Sequence, residues 1–332
     1  MFNLNAAEPQ LLTEYLKKQG WLVDNETICA LGKPGEGNMN YVLRVDTGAR
    51  TFIVKQSRAY VEKYPQVPAP ADRALVEGAF YRKIASNTEI GSKMPELLGL
   101  DPANNILVLE DLGEAHDYSF LYRPEGKLRG DELAELLAYV HELHQSFFKA
   151  TPDEELANLA MRKLNHEHIF YFPFLEDNGF DLNNVCAGLQ EVAMPYKQDA
   201  DLKREIHALG DTYLAQGQYL LHGDYYPGSW LKTRAGVKVI DPEFCFYGHR
   251  EFDLGVLIAH LHLSQQNPDL IAAVKTGYPA YADLDTRLLA QYTGIEIMRR
   301  LIGLAQLPLS SDLSTRQKLL AFAHQLITQH EG

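Results

Sequence analysis

The residues best suited to chemistry in this chain are the acids of His222-Gly223-Asp224 and Ile240-Asp241-Pro242-Glu243. Seventeen positions separate Asp224 from Asp241, and the stretch between them holds two short apolar runs around a polar turn. That is enough chain for a hairpin-like return that brings both carboxylates to one edge. Such a pair suits phosphoryl transfer, in which one carboxylate orients the attacking hydroxyl and another holds the magnesium that bridges the phosphates. Alone, each acid has a plainer use, Asp224 as a turn cap and Asp-Pro-Glu as a solvent-facing turn.

Phosphoryl transfer also needs cations and backbone amides for the phosphates. Lys55 closes the run Ile53-Val54-Lys55, whose alternation leaves the ammonium at a strand end. Upstream, Gly35-Glu36-Gly37-Asn38-Met39-Asn40 carries two glycines that permit close backbone approach, which makes Gly35, Gly37, Asn38 and Asn40 candidates for the phosphates. The stretch fails to complete GxGxxG because Asn40 stands where the third glycine belongs, and an ordinary hairpin loop is the competing reading. Glu77 lies on the helical stripe of 72–86, in line with Tyr81 and Ile84, where it can turn toward Lys55. Glu110-Asp111-Leu112-Gly113 is acidic and flexible, either a plain linker or a site where backbone at Glu110 and Leu112 meets an adenine edge.

These groups require a particular set of elements to carry them. Runs rich in β-forming residues at 28–31, 41–45, 51–55, 97–100 and 106–109, with turns between the paired members, predict an antiparallel five-stranded sheet. Helical spacing at 8–20 predicts a lid on that sheet, and 72–86 predicts its main helix. From 130 onward the period becomes 3.6, through Leu133, Leu136, Leu137, Val140, Leu143 and Phe147, and helices are expected at 202–216, 252–263, 270–281, 286–307 and 314–330. The expected fold class is α+β, with a nucleotide-binding lobe at 1–110, a hinge at 111–114 and a larger, mainly helical lobe at 115–332. Residues 156–195 lack a clear period and contain the aromatic knot Phe170-Tyr171-Phe172-Pro173-Phe174, read as core. His141 and His144 stand three apart on the long helix, and a packing role is favoured over a shared metal.

Composition narrows the partners. The chain has 332 residues, 46% of them hydrophobic and 23% charged, an ordinary balance for two lobes with substantial cores. A formal charge of −13 without a basic run argues against nucleic acid and membrane surfaces as partners. Cys29, Cys186 and Cys245 show no CxxC or ligand spacing and read as reduced, buried thiols. With no charged leader before an apolar stretch and no long apolar window, the expected location is cytoplasmic.

The order glycine turn, strand lysine, helix glutamate, acidic hinge, His-Gly-Asp, Ile-Asp-Pro-Glu is that of the protein-kinase-like phosphotransferases. The chain resembles the aminoglycoside phosphotransferase and choline kinase superfamily, and within it the 5-methylthioribose kinases. The narrower likeness rests on Gly35 to Val42, Lys55-Gln56, Gly228-Ser229, Ile240 to Phe244 with Phe246-Tyr247-Gly248, and Met298 to Ala305. The resemblance implies ATP and Mg²⁺ as cofactors, Asp224 as catalytic base, and Asp241 with Glu243 as metal ligands. Ser229 stands where most of the superfamily has a metal-binding asparagine, as it does in the methylthioribose kinases. The resemblance also implies substrate contacts from Arg299 and Arg300, support of the catalytic loop by Asp253, with His222 and Ser229 beside it, and a possible homodimer. Adjacent helical residues point about 100° apart, so both arginines reach one ligand only at a helix end or through their long side chains. The family's Leu-His-Thr after the catalytic aspartate is Tyr225-Tyr226-Pro227 here, and 61–70 with Tyr64-Pro65 replaces a tryptophan-bearing loop. Tyr225 and Tyr226 are therefore expected at the substrate. The acceptors this leaves open are 5-methylthioribose, a deoxypentose, an aminoglycoside, choline or a fructosamine, with a nucleotide-binding protein without catalysis as the rival.

Overall fold

The computed structural model describes residues 2–35, 37 and 39–329. Its first lobe opens with α1 (Pro9–Lys18), whose Leu12, Tyr15 and Leu16 are buried. There follow β1 (Ala30–Gly32), β2 (Tyr41–Asp46) and β3 (Thr51–Gln56), a small hairpin of β4 (Tyr60–Val61) and β5 (Tyr64–Pro68), α2 (Arg73–Ile84), the single turn α3 (Thr88–Gly91), then β6 (Leu97–Asp101) and β7 (Ile106–Glu110). Five strands pair antiparallel in the order β1-β2-β3-β7-β6. Alternation sends Leu43, Val45, Phe52, Val54, Ile106 and Val108 to one face, where they join α1 in a single apolar cluster. The other face receives α2, and Gly78 is the close-approach point: a Cβ there would lie 3.0 Å from the Leu100 side chain.

The second lobe comprises β8 (His116–Asp117), α4 (Gly130–Ser146), α5 (Leu159–His166), α6 (Leu189–Gln198), α7 (Ala200–Leu214), β9 (Tyr219–Leu221), β10 (Trp230–Thr233), β11 (Gly236–Val239), β12 (Phe246–Gly248), α8 (Glu251–Leu263), α9 (Pro268–Gly277), α10 (Thr286–Ile302) and α11 (Leu313–Thr328). β10 and β11 form a hairpin that β8 joins, while β9 pairs with β12. The β10–β11 hairpin supplies the return expected between Asp224 and Asp241, and the β9–β12 ribbon flanks it in the chain. Beneath them α8, α10 and α11 pack into an apolar core that includes Leu263, Ile295, Met298, Leu301 and Leu320. The lobes also touch beyond the chain crossing, since the Val239 amide donates to the Lys93 carbonyl at 2.8 Å.

The structure corrects several element boundaries. The first strand sits two residues later than expected, at Ala30–Gly32. Residues 61–70, read as a replaced loop, include most of the β4–β5 hairpin. α10 stops at Ile302 rather than 307, because Gly303 turns extended and its amide closes on the Arg299 carbonyl. The last helix ends at Thr328, and His330 lies outside the described residues. Residues 156–195 resolve into short pieces. Asn158 is left-handed before α5, a π turn spans Glu167–Tyr171, and Pro195 sits inside α6. Phe170 and Phe174 are core, as expected of the aromatic knot, whereas Tyr171 is exposed.

Candidate active site

β9 ends at Leu221 and delivers His222-Gly223-Asp224 into a loop whose backbone is fastened from below. Asp253, in the first turn of α8 and fully buried, accepts the amides of His222 at 2.8 Å and Gly223 at 3.0 Å, and its Oδ2 meets His144 Nε2 at 3.3 Å. Gly223 has φ +82, and a Cβ there would collide with the Phe244 carbonyl, so only glycine fits the turn. His222 Nε2 lies 2.9 Å from the Ile240 carbonyl, and the Ser229 carbonyl accepts the Ile240 amide at 2.9 Å. His222 and Ser229 thus bind the Asp224 loop to the Asp241 segment, and Asp253 fastens it to α8. His144, buried against Asp253 and Tyr278, has a packing role, and His141 stacks edge-on with Tyr278.

On the other side of the cleft, β3 carries Lys55 and α2 carries Glu77. Lys55 Nζ reaches Glu77 Oε2 at 2.8 Å and Asp241 Oδ1 at 2.9 Å, with Lys55 and Glu77 buried and Asp241 about half open. Burial works against charge on Lys55, but Asp241, Glu77 and Glu243 outweigh it and hold the ammonium protonated. Asp241 has φ +62, a left-handed conformation that short acidic side chains tolerate. Two residues on, Glu243 Oε2 accepts from Asn40 Nδ2 at 2.9 Å and lies 3.3 Å from Arg73 Nε. Asn40 therefore faces Glu243 and not the phosphate region expected for it, because Arg73 Nε also binds its Oδ1 at 2.9 Å. Fully buried Arg73 spends its remaining donors on the carbonyls of Met39, Arg58, Tyr60 and Pro70.

Asp224 meets the last turn of α10. Arg300 and Arg299 place guanidinium nitrogens 3.6 and 4.0 Å from its Oδ1. Both arginines are held by Glu296, one turn earlier on the same helix, at 2.7 Å from Arg300 Nε and 2.9 Å from Arg299 Nε. The i+3 and i+4 spacing lets one carboxylate turn two divergent side chains toward a common point. Burial drives the Asp224 carboxyl up to about 6, although Arg300 and Arg299 pull it down. Tyr226 lies under the Arg300 guanidinium, 4.8 Å from ring centroid to carbon. Tyr225 does not share this position: its ring is fully buried against Tyr139 and Trp230, and its hydroxyl donates to the Leu136 carbonyl at 2.8 Å. Successive residues of the extended loop point to opposite sides, so only one of the two tyrosines can face the cleft.

Between the lobes lies a cavity of about 210 Å³ lined by, among others, Gly35, Gly37, Lys55, Glu110, Leu112 and Asp241. Asn38 lies outside the described residues. Arg44 of β2 also lines it and grips Asp111 at 2.8 Å, tying the sheet to the crossing segment. Among the described residues no group of three His, Cys, Asp or Glu side chains is arranged to hold a metal. Asp241 and Glu243 supply two carboxylates, and magnesium in phosphoryl-transfer sites commonly takes one or two, with phosphate oxygens and water completing its shell. The donor set fits. Sequence reasoning missed Arg73, Glu296 and Arg44. The spacing of Glu296 before Arg299 and Arg300 was a usable signal, whereas Arg73 and Arg44 bind partners far away in the chain.

Two lobes around this cleft, with a lysine–glutamate pair, a braced aspartate loop and a second acidic turn, define a phosphotransferase. The chain belongs to the phosphotransferase enzyme family, whose model matches residues 32–286. It is similar to methylthioribose kinase of Exiguobacterium sibiricum, 29% identical over 253 residues that span 72% of this chain and 62% of that protein. A methylthioribose kinase of Bacillus cereus is 24% identical over 358 residues, covering 95% of this chain and 88% of its own. Among solved structures, a choline kinase from Streptococcus pneumoniae superposes with a TM-score of 0.56 at 13% identity, over 97% of this chain and 100% of its own. A spectinomycin phosphotransferase bound to ADP and spectinomycin gives 0.53 at 15% identity, over 96% and 97%. No helix among the described residues is long and apolar enough to cross a membrane.

Proposed function

We propose that the protein is an ATP-dependent kinase that phosphorylates a hydroxyl of a small, uncharged pentose-like sugar, with 5-methylthioribose the leading acceptor. The observation that carries this is Asp224 beneath Arg299 and Arg300, together with Lys55 bound to Asp241 in the cavity that the glycine turn lines. In this reading Asp224 takes the proton of the acceptor hydroxyl, whose oxygen forms a bond to the γ-phosphorus as the bond to the β–γ bridging oxygen breaks and ADP leaves. Lys55, held by Glu77, and the amides of Gly35 and Gly37 bind the phosphates, while Glu110 and Leu112 offer backbone to the adenine. Asp241 and Glu243 would hold Mg²⁺, which supplies charge neutralisation at the phosphates when bound. Both contacts to Glu243 fall on Oε2, so Oε1 is the oxygen available to a cation.

The acceptor's charge follows from the same geometry. The chain is acidic overall, which by itself would favour a cationic acceptor such as an aminoglycoside or choline. Two guanidinium groups within 4.0 Å of Asp224 offset that preference locally, because with Asp224 and Glu296 they leave the cluster without net charge and an ammonium would give up its water there with no unpaired acid to meet. A sugar hydroxyl accepts hydrogen bonds from the arginines at no such cost. Purified protein incubated with ATP, Mg²⁺ and methylthioribose should release ADP and yield the phosphosugar, whereas choline and kanamycin should give none. ATP binding by calorimetry with no product from any sugar would instead support a nucleotide-binding protein without catalysis.

A further inference from the structure

Behind the acceptor end of the cleft a chain of buried polar groups runs away from the solvent. Glu296 Oε1, already bonded to Arg300 Nε, lies 3.0 Å from His260 Nε2, and His260 Nδ1 lies 2.6 Å from the Tyr122 hydroxyl. Glu296, His260 and Tyr122 are each at most 2% exposed. Buried carboxylates that keep their charge need partners, and Glu296 has hydrogen bonds to Arg300 and His260 and an ion pair with Arg299 at 2.9 Å.

We propose that Glu296 is the positioning residue that aims both guanidinium groups at Asp224, and that His260 and Tyr122 in turn fix the orientation of Glu296. The inference rests on the acceptor-binding role proposed for the two arginines. Donor and acceptor chemistry sets the direction of the whole chain. Glu296, paired with two arginines, accepts only, so His260 donates from Nε2 and accepts the Tyr122 proton at Nδ1. Burial and the adjacent arginines keep His260 neutral, the state this arrangement requires. Tyr122 closes the short 3-10 helix Tyr118–Tyr122, and its carbonyl accepts the Ser310 amide at 3.1 Å, so the far end of the chain is anchored by two segments remote from α10. Arg299 is otherwise held by Asn165 Oδ1 at 3.1 Å and Arg300 by the Tyr226 ring, anchors that do not join the two guanidinium groups, which the helix alone sets roughly 100° apart.

The test compares wild type with Glu296→Gln, Glu296→Asp and Tyr122→Phe. Glutamine keeps one acceptor oxygen but loses the other, so one guanidinium is released. Steady-state kinetics with methylthioribose and ATP varied separately should show kcat/KM for the sugar lowered by roughly 10- to 100-fold in Glu296→Gln, the scale of an ångström-sized misplacement. The KM for ATP should stay within about twofold, Tyr122→Phe should show a smaller loss in the same parameter, and Glu296→Asp should recover part of it. In parallel, the Nε–Hε signal of Arg300, assigned by its loss in Arg300→Lys, should resist hydrogen exchange in wild type and exchange faster in Glu296→Gln, where a neutral amide replaces the carboxylate that accepts it. Unchanged sugar kcat/KM in Glu296→Gln overturns the positioning role. If wild type turns over no methylthioribose, the functional reading fails, and the Arg300 signal still decides: protection retained in Glu296→Gln overturns the inference.

Discussion

As the proposed general base Asp224 carries an unusual burden, since burial lifts its carboxyl to about 6 while two arginines stand close by. The base form must be ionised, so kcat/KM for the acceptor should fall about tenfold per pH unit below about 6 and level off above it, as measured in a pH–rate profile. The stability consequence has the opposite sign. The folded state binds this proton more tightly than the unfolded chain does, so Asp224 contributes stability that is present below the ordinary aspartate range and lost as pH rises through about 6. Asp224→Asn should accordingly lower kcat by roughly 10²- to 10⁴-fold while leaving the protein at least as stable as wild type at pH 8, by thermal melting. Glu77 makes the contrasting case. Buried beside Lys55 with no exposure of its own, it exists to hold that ammonium. Glu77→Gln should cost roughly 1–3 kcal/mol in denaturant unfolding, because Lys55 keeps Asp241 but loses its buried partner.

At the level of elements, the His222–Asp224 loop stands on α8 through Asp253. Asp253→Asn presents an amide to one of the two backbone N–H groups it now accepts, and should destabilise by about 1–3 kcal/mol in chemical denaturation. The elements themselves were largely readable. At 41–45 and 51–55 Leu43, Val45, Phe52 and Val54 alternate onto the core beneath α1, 106–109 is a short run buried on both faces, and the stripe from Leu133 to Phe147 is a helix against a core. Residues 151–200 were opaque because their turns are set by tertiary demands: Asn158 is forced left-handed where its side chain binds the Glu243 and Cys245 carbonyls. The same limit applies to the site. Lys55, Glu77, Asp224 and Asp241 announce themselves by type and spacing, whereas Tyr225 and Tyr226 are alike in type and only the loop's pleat separates core from cleft.

For the molecule as a whole, the acids of the second lobe bind the cations of the first, Asp241 to Lys55 and Glu243 to Arg73. The cleft is thereby prepared by ion pairs that a bound nucleotide and its cation would share. ATP with Mg²⁺ at about 100 times Kd should stabilise by about 2.7 kcal/mol and raise Tm by a few degrees. In Asp241→Asn the increment due to Mg²⁺ should vanish while that of ATP alone persists, as read by differential scanning fluorimetry.

Arg73 bears on how such a molecule diversifies. Four of its contacts are main-chain carbonyls, at Met39, Arg58, Tyr60 and Pro70, which every amino acid supplies. The segment beside the glycine turn is therefore held by an anchor indifferent to its own spelling. The exposed side chains at 63–66 and 68 are free to drift, and with them whatever the hairpin shows to an acceptor, without loosening the site beneath. Substitution tolerance should be high at those positions and close to nil at Arg73.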